Sequence, residues 1–283
     1  MARKTKRSSK DFERAMLPQT RKAVFFDVVK LQWRKLLLLA LILLIFALPL
    51  FLIALYEDSY FYAVTEDPAF SPHEMPAILA PLNTYCAVFS APALALLFLG
   101  LSGVVRVLRQ LAWGENVTVF HDFSVGFRQN WKQIFPVGLL FGIFFALAKI
   151  GWYSAIISQA DSVWIQGILM GLLAFLVAPV TAYCIVVIAI YTNSFWGNLK
   201  IALYIYLKNP FKAFGAMLLN FGLCLVVWMM PSTQLHLTGT IPAIMVFTLG
   251  LLGWMLFSFN QLDRHYNKTQ YPELVGKGVN GHF

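Results

Sequence analysis

The hydrophobic and polar positions of this chain fall into long blocks, in which apolar runs alternate with polar or mixed segments. An apolar helix of about 20 residues is long enough to cross the hydrocarbon core of a bilayer. We therefore predict an all-α polytopic membrane protein with six transmembrane helices and two cytoplasmic amphipathic interfacial helices. The predicted transmembrane helices are 36–56, 77–105, 134–159, 163–191, 213–230 and 241–259.

These helices divide the chain into three predicted regions, and the composition agrees with a membrane protein. A basic cytoplasmic N-terminal segment (1–35) precedes the membrane domain (36–259), and a cytoplasmic tail (260–283) follows it. Hydrophobic residues make up 59% of the chain and charged residues only 12%. A soluble domain usually carries about 25% charged residues, so a bilayer is the expected solvent for most of this chain.

The mixed segment 117–135 carries aromatic residues at steps of three and four, which places them on one face of a helix. These residues, here called the aromatic stripe, are Phe120, Phe123, Phe127, Trp131 and Phe135. Thr118 is the predicted N-cap, and Asp122 lies in the first turn, where the helix dipole favours a carboxylate. Two interpretations stay open: the stripe packs against the helix bundle, or it binds a partner. The candidate partner surface is Phe120, Phe123, Phe127 and Trp131.

The segment 192–212 is the second predicted interfacial helix. Its apolar side chains recur at helical spacing, and Asn193 or Ser194 provides an N-cap. Pro210 disfavours helical backbone at the residue before it, so we expect this helix to end at Asn209.

The net charge of +9 is concentrated beside the predicted membrane helices. Half of the 22 Lys and Arg residues lie in 1–35, directly before the first predicted span. A basic segment in this position favours anionic lipid head groups, and we predict no nucleic-acid partner. The lipid bilayer, with anionic lipids at the N-terminal segment, is therefore the expected partner of 1–35.

The Lys and Arg residues also predict an orientation. The alternate loops 57–76, 160–162 and 231–240 carry none, whereas the intervening polar segments do. Because cytoplasmic loops are enriched in Lys and Arg, both termini and both mixed segments are predicted to be cytoplasmic. The expected location is the bacterial inner membrane.

Lys149 is the only charged residue inside one of the predicted apolar runs, the third predicted span. An ionisable residue within a span usually marks function, and a lysine there offers a site for an anionic substrate. Trp152 and Tyr153 follow it, however, and such residues are enriched at the membrane interface. We therefore favour the alternative, in which Lys149 extends outward to the head groups, because no Asp or Glu in another predicted span is available to pair with it.

Signatures of catalysis are missing from the sequence. It contains no G-x-S-x-G, H-E-x-x-H, Walker A or G-x-G-x-x-G motif. The five histidines are scattered, and the three cysteines lie in apolar runs without a pairing pattern. We predict that the protein is not an enzyme and has no catalytic residue, cofactor or metal site.

Several stretches resemble one known family. Asp122, Phe123, Phe127, Asn130 and Lys132, within HDFSVGFRQNWKQ, resemble the D-F-x3-F-x2-N-x-K-Q signature of the YesL-like bacterial membrane proteins. The stretch FWGNLKIALYIYLKNPFKAF is similar to the second cytoplasmic helix of that family. The candidate family-motif residues are Asp122, Asn130, Lys132 and Asn209.

The chain departs from the family in its outer loop. Ala91 replaces the glycine of the family's G-P-A segment, and a longer acidic insertion, about 57–88, replaces a short T-x-G turn. The resemblance implies a membrane protein that assists carbohydrate uptake by ABC transporters.

Two functions from different classes follow from these observations. We expect a non-enzymatic accessory or scaffold protein of the bacterial inner membrane, with membrane-transporter subunits as partners. The alternative is a small-solute transporter or channel in its own right, suggested by Lys149 and by proline within three predicted spans (Pro49, Pro92 and Pro179).

Overall fold

The computed structural model describes residues 18–67, 71, 74–158, 163–229 and 233–279, and every regular element in this part of the chain is helical. The α-helices are α1 (Arg21–Glu66), α2 (Met75–Ala112), α3 (Val119–Ser158), α4 (Val163–Leu172), α5 (Ala178–Ile190), α6 (Phe195–Lys208), α7 (Pro210–Met229), α8 (Thr233–Leu262) and α9 (Lys268–Gln270). A π-helical turn, Leu173–Val177, joins α4 and α5 into one rod.

Five helical stretches in the described residues are long and apolar enough to cross a membrane. They are α1, α2, α3, the α4–α5 rod and α8 with its continuation toward Gln270. The apolar stretch of α7, Pro210–Cys224, is shorter. Length and composition therefore agree with an all-α protein embedded in a membrane.

Two helices are much longer than the predicted spans. α1 has 46 residues and α3 has 40, whereas about 20 suffice to cross the hydrocarbon core. The mixed segment 117–135 and the predicted third span therefore form one continuous helix, with Pro136 inside it. Likewise, α1 continues to Glu66, through the first half of the predicted loop 57–76, because no Gly or Pro interrupts this stretch.

α1 is bent close to the predicted start of the first span. Gln32 has non-helical backbone angles (φ −120°, ψ 19°) inside the helix. Thr20 caps the N-terminus, and its side chain accepts a hydrogen bond from the Ala23 N–H at 3.1 Å. The first turns of α1 are thus a separately oriented helical piece ahead of the apolar part.

α2 and α3 form an antiparallel hairpin whose helices approach closely at glycines. A Cβ on Gly142 would lie 2.6 Å from the carbonyl oxygen of Ala91, and one on Gly138 would lie 2.4 Å from the Cβ of Phe98. Small residues that bring two backbones together are a common means of packing helices in membranes. These contacts fix the position of α3, and therefore of the aromatic stripe, relative to α2.

The two ends of the helix bundle differ in charge. One end, here called the basic end, contains the start of α1, the end of α2 and the start of α3, with Arg21, Arg106 and Lys132 among its cations. The opposite end, here called the acidic end, contains Glu57 and Glu74. The hydrophobic core between them is built mainly from α1, α2, α5 and α8.

Candidate functional site

The start of α3 is fixed to α2 by Asp122. The Thr118 N–H donates a hydrogen bond to the Asp122 carboxylate at 2.7 Å, which satisfies a backbone donor at the helix start. The side chain of Gln110 on α2 donates to the same carboxylate at 3.4 Å. Asp122 thus has a positioning role in the turn between the two helices.

The aromatic stripe is divided between the interior and the surface. The rings of Phe123 and Phe127 lie 6.2 and 6.3 Å from the ring of Phe46 on α1 and pack against it. Phe120 is 63% exposed and Trp131 is 41% exposed. Two of the four candidate partner residues are therefore occupied by packing within the bundle, and two are accessible.

The division follows the position of α1. At about 100° per residue the stripe covers roughly 120° of the α3 circumference, and Phe46 covers the side that carries Phe123 and Phe127. Phe120 and Trp131 differ by only about 20° in direction, since eleven residues make slightly more than three full turns. Together with the exposed residues Ser124 and Arg128 they form one strip, which we call the outer face of α3.

Two of the other motif residues, Asn130 and Asn209, hold helical segments together. The Asn130 side-chain amide donates to the Ser102 carbonyl oxygen on α2 at 3.2 Å, whereas Lys132 is exposed. Asn209 ends α6 as predicted, and its amide nitrogen lies 3.3 Å from Nε2 of His265. Asn130 and Asn209 are therefore explained by packing alone, without a ligand.

α6 begins at a Ser194 cap and carries a buried polar contact to α3. Ser194 accepts a hydrogen bond from the Gly197 N–H at 3.3 Å. Asn198, which is fully buried, donates to the Gln133 side chain at 2.8 Å, and Gln133 donates to the Asn193 carbonyl oxygen at 2.9 Å. This network ties the two mixed segments of the sequence to one another.

The opposite face of α6 is apolar and exposed. Trp196, Leu203 and Leu207 lie on it, with exposures between 40% and 68%. Tyr206 points the other way: its hydroxyl donates to the Phe175 carbonyl oxygen, and burial raises the pKa of Tyr206. The helix therefore has one face packed on protein and one apolar face that no described residue covers.

The polar end of the chain, predicted only as a tail, docks on the basic end of the bundle. The Asp263 carboxylate accepts hydrogen bonds from the Arg21 guanidinium at 2.8 Å and from the Gly276 N–H at 3.3 Å. The Asn267 side chain donates to the same carboxylate at 2.8 Å. One carboxylate thereby connects the start of α1, the end of α8 and the C-terminal segment.

Two cations lie over the ring of Trp113 at the end of α2. The Arg109 guanidinium lies 4.8 Å from the centroid of its ring, and the Lys277 ammonium lies 4.2 Å from it. Gly278 has φ +80°, and a Cβ there would lie 2.3 Å from the Ala112 carbonyl oxygen. The C-terminal segment therefore follows a path that requires glycine at this position.

Lys149 has an acidic partner at the acidic end of the bundle. Its Nζ lies 2.5 Å from a carboxylate oxygen of Glu57 on α1, and both side chains are less than one-fifth exposed. The expectation that no Asp or Glu is available to Lys149 is therefore wrong. It rested on a first span that ended at Tyr56, whereas α1 continues as a helix and directs Glu57 toward α3.

A partly open cavity of about 330 Å³ lies between the helices of the bundle, apart from Lys149. The described residues that line it belong mainly to α1, α2, α5, α7 and α8, and none of them is charged. Trp254 on α8 lies at its wall and is 1% exposed. The sequence offered no signal for this cavity, because its walls are ordinary apolar residues from distant segments.

The described residues contain no group of three or more His, Cys, Asp or Glu side chains that could hold a metal ion. Comparisons of the chain with protein-family models, with curated proteins and with solved structures found no match in any of the three.

Proposed function

We propose that the protein is a non-enzymatic accessory or scaffold protein of the bacterial inner membrane, and that the outer face of α3 binds its partner. The expected partner is a membrane-transporter subunit, and the resemblance to the YesL-like family suggests a carbohydrate-uptake ABC transporter. The observation that carries the proposal is the exposure of Phe120 and Trp131 on one face of a helix whose neighbouring rings, Phe123 and Phe127, pack against Phe46.

The proposal includes six spans, with α7 as the fifth in chain order, and a cytoplasmic basic end. α7 has 20 residues and a high proportion of apolar side chains, which suits a short span. Lys and Arg residues cluster at the basic end, in agreement with the positive-inside rule. On this orientation the N-terminus, the C-terminal segment and the α2–α3 turn are all cytoplasmic.

The length of α3 supports a role in water for the first part of its outer face, which contains Phe120. Lys132 and Arg106 are the cations nearest to the apolar parts of α3 and α2, so they mark the level of the head groups. From Lys132, α3 continues for about 20 Å to its first residue. Phe120 then lies beyond the lipid, where an exposed phenylalanine ring favours contact with another protein.

α6 has a different role in this proposal. Its exposed apolar face carries Trp196, Leu203 and Leu207, and Lys200 and Lys208 flank that face. An amphipathic helix of this composition lies in the plane of the interface, with its apolar side in lipid and its cations near anionic head groups. Anionic lipid is thus the proposed contact of α6, as it is of the basic segment 1–35.

The outer face of α3 can be tested by photocrosslinking in native membranes. A photoreactive phenylalanine analogue at position 131 should crosslink to a transporter subunit, because Trp131 lies on the proposed surface. The same analogue at position 147 is the matched control, since Leu147 is 60% exposed in the apolar part of α3. Equal protein crosslinking from both positions, or only lipid adducts from position 131, would contradict the proposal.

The transporter alternative stays a prediction with less support. The described residues that line the cavity are uncharged and almost all apolar, so they offer no path for a polar solute. Lys149, the residue that motivated the alternative, is paired with Glu57 and lies apart from this cavity. A solute path through the bundle would therefore require a different conformation.

A further inference from the structure

A second pocket, of about 350 Å³, lies at the basic end of the bundle and is open to the outside. It is formed by α6 and by the helical segments that follow α8, namely the π-helical turn Asp263–Asn267 and α9. We call it the α6 pocket. All of the described residues that line it except Ile201 carry a polar group, and none of them is acidic. Such a lining suits an anion better than a cation or a hydrocarbon.

Lys200 supplies the positive charge of the α6 pocket. Its side chain is exposed and forms no ion pair with a described residue. The carboxylate of the π-helical turn, Asp263, is instead bound to Arg21. Lys208 adds a second cation on this side of α6, since its ammonium lies 5.0 Å from the centroid of the Tyr204 ring. The positive charge beside the pocket is therefore not balanced by the carboxylate nearest to it in the fold.

His265 lines the pocket with one ring nitrogen already bound. The amide nitrogen of Asn209 lies 3.3 Å from its Nε2. Because an amide nitrogen can only donate, Nε2 accepts this hydrogen bond, and the neutral imidazole carries its proton on Nδ1. The ring nitrogen that is left for a ligand is therefore a donor.

Other donors come from both walls of the pocket. Tyr204 on α6 contributes a hydroxyl and Gln270 on α9 an amide, and neither group is hydrogen-bonded to a described residue. Thr269 differs, because its hydroxyl donates to the Tyr266 carbonyl oxygen at 3.0 Å. An ammonium, a hydroxyl and an amide thus surround one open space from two segments of the chain.

The α6 side of the pocket borders the apolar face of that helix. At about 100° per residue, Lys200 lies about 40° and Tyr204 about 80° around the helix axis from Trp196. Trp196 is 68% exposed on the face proposed to lie in lipid. The pocket then lies at the level of the head groups, and basic pockets between helices on the cytoplasmic side are typical binding sites for lipid phosphate.

We propose that the α6 pocket binds a phosphate group, with Lys200 as its charge partner and with Tyr204 and Gln270 as hydrogen-bond donors. The oxygens of a phosphate project in several directions and can meet donors from both walls, whereas the acceptors of a carboxylate lie in one plane. An anionic lipid is the expected source of the phosphate, and this part rests on the proposed interfacial position of α6. The recognition of phosphate itself does not depend on that position.

Native mass spectrometry of the delipidated full chain in detergent tests the proposal with two anionic lipids. Phosphatidylglycerol carries a phosphate, and diacylglycerol succinate carries a carboxylate with the same net charge. We expect one phosphatidylglycerol to bind at least about 3-fold more tightly than diacylglycerol succinate, the effect of one additional hydrogen bond.

Variants of the lining residues locate the binding. Lys200→Gln should weaken phosphatidylglycerol binding about 10-fold and Tyr204→Phe about 5-fold, because each removes a donor to a charged group. Lys212→Gln is the matched control, since Lys212 is exposed at the start of α7 and does not line the pocket. It removes the same charge and should change binding less than about 2-fold. Circular dichroism melting identifies any variant that fails to fold.

Inorganic phosphate, titrated calorimetrically against the same proteins, distinguishes the two sources of the phosphate group. Binding of inorganic phosphate that Lys200→Gln and Tyr204→Phe weaken, without a preference between the two lipids, would assign the pocket to a soluble phosphate compound. A preference for phosphatidylglycerol that the same variants abolish would assign it to lipid.

The proposal is overturned if Lys200→Gln and Tyr204→Phe weaken the binding of phosphatidylglycerol and of inorganic phosphate no more than Lys212→Gln does. That result would leave the proposed partner surface untouched, because crosslinking from position 131 tests the outer face of α3 separately.

Discussion

Lys149 on α3 and Glu57 on α1 form an ion pair with an Nζ–carboxylate distance of 2.5 Å. Both side chains are mostly buried near the acidic end of the bundle, where α1 passes α3. Removing one member of such a pair leaves the other charge without its partner in a poorly solvated place. The pair therefore accounts for Lys149 through helix packing, without a substrate.

Lys149→Met should lower the free energy of unfolding by about 1–3 kcal/mol, because Glu57 is left uncompensated. Glu57→Gln should have a similar effect, and the double variant should cost less than the sum of the two. Unfolding of the purified protein in mixed micelles measures all four corners of this cycle. Strict additivity would show that the two charges do not interact.

Phe127→Ala and Phe120→Ala should differ strongly in their effect on stability. Phe127 packs against Phe46, so its truncation opens a gap between α1 and α3 and should cost about 2–3 kcal/mol. Phe120 is exposed, and its truncation should change the unfolding free energy by less than about 0.5 kcal/mol. Similar losses in both variants would contradict the division of the stripe.

Gly142→Ala should destabilise the α2–α3 hairpin by about 1–3 kcal/mol, because the new methyl group meets the backbone of Ala91. Gly215→Ala on α7 is the matched control, since no atom lies within 4 Å of its added Cβ. That control should be neutral or stabilising by up to about 1 kcal/mol through helix propensity. Thermal unfolding measures the stability of both variants. If Gly142→Ala is as stable as Gly215→Ala, the close approach of Gly142 to the Ala91 backbone is refuted.

Asp263→Asn should release the C-terminal segment from the basic end. The variant weakens the contacts to Arg21 and to the Gly276 N–H, so amides between 271 and 279 should exchange with solvent faster. Glu273→Gln, a change of the same kind at an exposed carboxylate, should leave exchange in this segment unaltered. Hydrogen exchange followed by mass spectrometry measures these rates in both variants. Unchanged protection of 271–279 in Asp263→Asn would contradict the docking of this segment on Asp263.

The helical, membrane-embedded character of the chain was predictable from sequence, because apolar runs of bilayer length dominate the pattern. The ends of the helices were harder to predict from the sequence. The sequence marks where apolar residues stop, but a helix continues through polar residues such as Glu57 as long as nothing interrupts its hydrogen bonds. For the same reason, the mixed segment that begins α3 and the apolar span that follows it form one helix.

The candidate site was predictable only in part. Spacing correctly indicated that Phe120, Phe123 and Phe127 share one side of a helix, but it cannot tell which rings a neighbouring helix covers. That depends on Phe46, which is far away in the sequence. The interior position of Trp254 depends in the same way on helices packed around it, and no local motif marks it.

The central claim is that the outer face of α3 binds a transporter subunit. The most direct measurement is quantitative mass spectrometry of proteins that co-purify with the tagged chain after gentle detergent extraction from its own membranes. The wild type is compared with Phe120→Ala/Trp131→Ala and with the exposed control Ile143→Ala/Leu147→Ala on the same helix.

We predict that a permease or its ATPase co-purifies in near-equal amount with the wild type and with the control. Recovery of that subunit should fall at least about 10-fold with Phe120→Ala/Trp131→Ala, as expected when two aromatic interface residues are truncated. Full recovery of the same subunit with this variant, or purification of the wild type alone as one defined oligomer, would contradict the claim.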